Sequence, residues 1–230
     1  IENEGFKART LESMTNYFNN VVRTCDDILP DLMGFMNDLP QEKSKKKKTV
    51  TNFLNLLKEK QCTESEEYAM LIDTIISIDN TVDAVLAKAD LLKVKKKYKA
   101  SIEIYRQALE MADNDTLRGD VQFSILEIQY NNLSSFKSAY NTAMSISGLN
   151  RPKALMVASN CVARLANTCG SSTFDRKCNY YYAAQLATNA GEPSLAAKYR
   201  ANCPSSDEIF SNNSPARVTL SCWGVTVDVK

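Results

Sequence analysis

The chain has no histidine and only seven glycines and six prolines among its 230 residues. Without imidazole it lacks the commonest general base, any Ser-His-Asp triad and every zinc set that uses ring nitrogens. So little glycine and proline disfavours an all-β chain with many tight turns. No stretch approaches the roughly 20 apolar residues that a membrane-spanning helix needs. The opening IENEGFKART has no basic segment followed by an apolar one, so no signal peptide is expected in it. Charge of one sign is also lacking: 28 basic and 27 acidic side chains leave a net +1. That balance argues against a nucleic-acid or polyanion binder. Neither GxxxxGK-S/T nor GxGxxG occurs, so no phosphate loop is marked by motif, and no cofactor is expected.

What is present is helical periodicity, with 44% hydrophobic residues. Met14, Phe18, Val21, Cys25 and Ile28 form one stripe, expected to stop at Pro30. Leu32, Phe35, Met36 and Leu39 form a second, stopped by Pro40. The charged QEKSKKKK then reads as a loop. Val50, Phe53, Leu54 and Leu57 open a further helix. Ala69, Ile72, Ile75 and Ile76 mark another, with Glu64, Glu66 and Glu67 near its start, where the helix dipole favours acids. The lysines at 43, 45–48, 93 and 95–97 read as a solvated loop and a solvated helix end. Acid pairs such as Asp26-Asp27 and Glu66-Glu67 read as solvated helix surface rather than a catalytic site.

From Thr81 the helices come in pairs. Val82, Val85, Leu86, Ala89 and Leu92 stripe one, and Ile102, Tyr105, Ala108, Leu109 and Ala112 its partner. Phe123, Leu126, Tyr130 and Leu133 are followed by Phe136, Ala139, Tyr140 and Ala143. Pro152 suits a first helical turn, and Ala154, Ala158, Cys161, Val162 and Leu165 follow. After GSSTFDRK, read as a loop, Tyr180, Ala183, Ala184 and Ala187 stripe a helix that ends at Gly191. Pro193 starts a short one through Tyr199. The tail changes period: Val218, Leu220 and Cys222, then Val225, Val227 and Val229, alternate with polar residues, with a slip at Trp223-Gly224. That is strand spacing broken by a bulge or tight turn.

Helix pairs with small residues at fixed positions resemble tetratricopeptide repeats, whose period is about 34 residues; here the landmarks Tyr98 and Phe136 lie 38 residues apart. VDAVLAKADLLKVKKKYKASIEIYRQALEMA reads as one copy and VQFSILEIQYNNLSSFKSAYNTAMSI as a second. CNYYYAAQLATNAGEPSLAAKYRANC is a looser third. The expectation is an all-α chain: an antiparallel helix-pair superhelix with a short C-terminal β-strand or hairpin. Residues 1–80 form an N-terminal helical region, 81–204 the repeats, and 205–230 a loop and β tail. In such repeats the groove positions are Asp90, Lys93, Ile128, Asn131, Tyr181, Gln185 and Thr188. Among the three successive tyrosines, Tyr180 is expected on the core stripe and Tyr181 on the groove.

Over residues 169–230, CGSSTFDRKCNYYYAAQLA, AAKYRANCPSSDEIF and SCWGVTVDVK resemble the C-terminal part of tetratricopeptide-like proteins of Bacteroidetes. Phe174, Lys177, Tyr181, Pro204, Ile209, Phe210, Cys222 and Trp223 carry the likeness. Thr173 and Gly224 depart from it. The resemblance implies a cell-envelope location, periplasmic or outer-membrane associated, and no particular activity.

Seven cysteines are present, five of them at 161, 169, 178, 203 and 222. Such density suggests an oxidising compartment. Antiparallel helices would bring Cys178 and Cys203 together, so that bridge is expected first. Cys169 with Cys222 would tie down the tail, Cys25 with Cys62 would staple the N-terminal helices, and Cys161 would stay free. The gaps between Cys161, Cys169 and Cys178 are too wide for a structural zinc site. The expected function is a non-enzymatic scaffold that binds a protein or peptide. The alternatives are a small-ligand module in which Tyr181 stacks on a glycan, and an enzyme with scattered carboxylates.

Overall fold

The structure, a computed structural model, describes residues 24–229. Met14, Phe18 and Val21 of the first expected stripe lie outside that range. Eleven α-helices and one two-stranded antiparallel sheet are found among the described residues. They fall into two compact units, one ending at Lys97 and the other beginning at Tyr98. The break lies inside the stretch 82–112 read as the first repeat, so its two helices belong to different units.

The first unit holds α1 (Cys25–Asn37), α2 (Lys43–Glu59), α3 (Glu66–Ile78) and α4 (Val82–Val94). Helix α3 packs against the other three. Ile28, Leu32, Val50, Leu57, Leu71 and Ile72 fill its core. Ser65 and Thr81 cap α3 and α4, accepting from the backbone N–H groups of Tyr68 and Ala84. A disulfide between Cys25 and Cys62, with Cα atoms 5.5 Å apart, ties α1 to the α2–α3 loop. Two expectations change here. Helix α1 continues through Pro30, which lies within its first two turns. The lysine run is the start of α2 rather than a loop. Lysine is a good helix former, and ion pairs of Lys45 with Glu42 and Lys47 with Asp79 offset the unfavourable dipole.

The second unit runs α5 (Tyr98–Met111), α6 (Asp115–Glu127), α7 (Phe136–Ser145), α8 (Arg151–Leu165), α9 (Thr173–Asn189), α10 (Pro193–Arg200) and α11 (Ser206–Ser211), then β1 (Arg217–Leu220) and β2 (Val225–Asp228). Each helix from α5 to α9 packs on the next. Ala139, Ala143, Ala154, Ala158, Ala183, Ala187 and Ala196 are fully buried at these contacts. A methyl group there lets paired backbones approach where a larger side chain would clash. Arg151 reaches back to the end of α7, donating to the carbonyls of Met144 at 2.9 Å and Ile146 at 3.0 Å. Between α6 and α7 the chain makes a wide π-type turn at Ile128–Asn132. Helix α11 stands where a loop was expected. Ser205 and Glu208 form a reciprocal capping box that starts it, and Lys177 of α9 pairs with Glu208 at 2.6 Å.

The tail is an antiparallel hairpin with Val218 opposite Val227, and the expected phase slip is its turn. Gly224 has φ +65° there, a left-handed conformation that glycine adopts without steric cost. The hairpin packs on α9, with Leu220, Trp223 and Val227 facing inward.

Candidate functional site

Helix α9 organises a cleft in the second unit. Its start is fixed by a capping box: Ser172 Oγ accepts from the Asp175 N–H at 3.0 Å, and Asp175 accepts from the Ser172 N–H at 3.1 Å. Ser171 Oγ also donates to Asp175 at 2.6 Å. These hydrogen bonds, led by that from Ser171, hold the Asp175 carboxyl below its ordinary range. Gly170 precedes the box with φ +134°, and a Cβ there would lie 2.7 Å from Asp175 Cβ. The close approach of loop and helix therefore requires glycine. TFDRK, expected in a loop, forms the first turn and a half of this helix.

Consecutive helical side chains point about 100° apart, so the three tyrosines of α9 face three environments. Tyr182, not Tyr180, is the core residue: it is buried and its hydroxyl bonds that of Tyr140 at 2.7 Å. Helices on both sides and the hairpin above widen the buried arc of α9 beyond a single stripe. Tyr180 is half-buried, its ring 6.4 Å from that of Tyr199.

Tyr181 lines a cleft of about 510 Å³. Gln185 and Thr188, one and two turns further along the same face, line it as well, with Arg200, Cys203, Pro204, Val227 and Asp228. Arg200 closes one side by donating to Thr188 Oγ1 at 3.1 Å. Asp228 pairs with Arg217 at 2.8 Å across the hairpin. Hydrogen-bonded residue pairs alternate along an antiparallel ladder. The Val229 N–H bonds the Ala216 carbonyl, so the backbone groups of Asp228 and Thr226 face away from β1. Among the described residues no third strand pairs with that edge.

The hairpin is held beside the cleft by a dense set of contacts. Cys169 and Cys222 form a disulfide, Cα to Cα 5.9 Å. Lys137 lies 4.3 Å above the Trp223 ring and donates to the Cys222 carbonyl. The Trp223 and Tyr140 rings are 4.5 Å apart. Cys178 and Cys203, expected to pair, are both free thiols, as is Cys161. Burial pushes the Cys161 and Cys178 thiols up to about 12 and Cys203 to about 11. All three are therefore protonated, weakly nucleophilic groups at neutral pH.

The seven groove positions do not share one surface. Tyr181, Gln185 and Thr188 meet in the cleft just described. Asp90, on α4 in the first unit, lines a separate depression of about 570 Å³ with Lys58, Tyr68 and Asp83. Lys93 is half-buried on the same helix. Asn131 is exposed, and Ile128 is fully buried in the π-type turn. Ile128 continues α6 directly and falls on its buried side, while the wide turn shifts the residues that follow it. Arg200, Cys203, Pro204, Val227 and Asp228 went unassigned because the repeat pattern names positions only on the first helix of each pair. The alternation along β2 was the one signal that could have brought Val227 and Asp228 in. Comparison with protein-family models, curated proteins and solved structures gives no match for this chain.

Proposed function

We propose that this protein is a non-enzymatic interaction scaffold that takes an extended segment of a partner protein into the Tyr181 cleft. The supporting observation is the shared lining by Tyr181, Gln185 and Thr188 on successive turns of α9, with the outer edge of β2, which joins no third strand among the described residues, alongside. A strand edge offers backbone donors and acceptors to an extended peptide, and a flanking cleft receives alternate side chains. Tyr181 supplies a broad apolar face with a polar tip, while Arg200 and Asp228 supply one charge of each sign. The location we propose is the bacterial cell envelope, periplasmic or outer-membrane associated. Two disulfides suit an oxidising compartment, and the resemblance of residues 169–230 to tetratricopeptide-like proteins of Bacteroidetes points the same way.

The reading is tested by affinity capture from envelope extract, comparing the native chain with a Tyr181→Ala/Gln185→Ala double variant. A protein retained by the native chain and lost by the variant is the expected result. Equal recovery by both would remove the cleft from the account. A glycan-array signal abolished by Tyr181→Ala would favour a sugar ligand instead.

A further inference from the structure

A second depression, sharing no lining residue with the Tyr181 cleft, opens between α8, α9 and α10. Its volume is about 330 Å³, and it is lined by Tyr130, Asn160, Ala163, Arg164, Tyr180, Lys198, Tyr199 and Asn202. Two of these are cations and none is an acid. Among the described residues neither Arg164 nor Lys198 lies within ion-pair distance of a carboxylate. Both stand in the last turns of their helices, where the dipole favours a cation. Helix-end stabilisation accounts for each charge separately. It does not account for both converging on one hollow walled by tyrosines.

Arg164 is exposed, but its guanidinium rests against aromatic rings. Its guanidinium lies 5.6 Å from the Tyr130 ring and 5.1 Å from the Phe136 ring. Nε donates to Tyr130 Oη at 3.2 Å, leaving both terminal amino groups unengaged. That is the planar fork that matches a carboxylate with two parallel hydrogen bonds. The rest of the lining is polar at its tips. Asn160 Oδ1 accepts from Tyr199 Oη at 2.5 Å, so its amide N–H groups remain available. Asn202 Nδ2 donates to the Lys198 carbonyl at 2.8 Å, so its amide oxygen remains available. Ala163 is the single wholly apolar lining residue. These amides are at least partly open to solvent, and an aliphatic or aromatic acid would make no use of them. A ring bearing hydroxyls would satisfy both donors and acceptors while its C–H face rests on Tyr180.

We infer that this hollow binds a carboxylated sugar of the uronic-acid type, with the carboxylate on Arg164 and Lys198, the hydroxyls on Asn160 and Asn202, and the ring against Tyr180. The sugar could arrive free or as a unit of an acidic polysaccharide. The test follows tyrosine and asparagine NMR resonances of the whole chain during titration with glucuronate, glucuronate methyl ester, glucose and a galacturonate trisaccharide. Saturable shifts at Tyr180 and Asn160 are expected with glucuronate or the trisaccharide, and much weaker ones with the ester and glucose. Binding by the trisaccharide alone marks the polysaccharide as the source, and comparable monosaccharide binding marks the free sugar. Arg164→Gln should weaken binding about tenfold or more, the scale of a lost charge-assisted pair. Its unfolding midpoint, measured alongside, separates lost binding from lost folding. Arg164→Lys keeps the charge without the fork and serves if the Gln variant does not fold; it too should bind more weakly. No saturable shift with either acid, equal binding of glucuronate and glucose, or full affinity in both Arg164 variants would overturn the inference.

Discussion

Trp223 Nε1 donates to Asn179 Oδ1 at 2.7 Å, and both side chains are buried. The two N–H groups of the Asn179 amide serve three carbonyls, that of Cys169 at 2.7 Å and, through a shared hydrogen, those of Arg176 at 3.0 Å and Asp175 at 3.1 Å. One buried amide thus joins the loop before α9, the first turns of α9 and the turn of the hairpin. Those are the parts that place Tyr181 opposite Asp228. A buried polar residue left without a partner would be costly; here every hydrogen-bonding group of the amide points at a partner.

Asn179→Ala should therefore destabilise the second unit by about 3 kcal/mol, because it leaves the buried indole N–H and a carbonyl unsatisfied. Trp223→Phe should cost less, about 1–2 kcal/mol, since it orphans one acceptor. The double variant should be less destabilised than the sum of the two, the sign of direct coupling. Urea unfolding followed by circular dichroism measures all three. In Asn179→Ala the sole tryptophan also reports the event by fluorescence. Strict additivity would contradict the role given to this pair.

Denatured, unreduced protein should titrate three thiols, Cys161, Cys178 and Cys203, and fully reduced protein all seven. In the folded state Cys203 should react first, being half-buried while the other two are buried. One thiol before reduction would mean that Cys178 and Cys203 do pair.

The Cys169–Cys222 bridge closes a separation of 53 residues, worth about 4 kcal/mol by chain entropy. Cys169→Ser/Cys222→Ser should lower stability by that order and loosen the hairpin, read as faster amide exchange at Val227 and Val229. Unchanged exchange would show that the Trp223 contacts hold the hairpin without the bridge.

Stability should be flat around neutral pH and fall at both extremes. On the acid side, hydrogen bonds from Ser171 to Asp175 and from Lys177 to Glu208 hold both carboxyls below their ordinary values. Their contribution is complete above the unfolded values, 3.8 and 4.5, and is lost as pH falls through the folded ones. On the alkaline side, burial raises the Cys161 and Cys178 thiols from 9.0 to about 12. Stability is then complete below 9.0 and lost as pH rises toward 12. Urea midpoints against pH check this, and Cys161→Ala/Cys178→Ala should flatten the alkaline decline.

The helices were legible because their apolar residues recur at helical spacing and their ends carry recognisable signals, such as Pro152 in a first turn; the hairpin was legible from the alternation in Val225–Asp228. Pro30 and the lysine run misled because local propensity is a weak signal that packing and ion pairs override. The π-type turn that begins at Ile128 leaves no mark in periodicity. Two of the three expected bridges formed, Cys25–Cys62 and Cys169–Cys222. Cys178 and Cys203 share the neighbourhood of α9 and α10, but nearness along an antiparallel pair does not fix thiol geometry. The cleft was half legible: α9 presented its face in the sequence, whereas the wall from β2 exists only after the hairpin docks through Trp223.

The central claim is that the Tyr181 cleft holds a segment of another protein. It is tested by placing a photo-crosslinking residue at Gln185, exposed and lining the cleft, and at Lys153, exposed on α8 outside it. Irradiation in envelope extract should give a discrete protein adduct from position 185 that disappears when Tyr181 is replaced by alanine, and none from position 153. No adduct at 185, or the same adducts from both positions, would contradict the account.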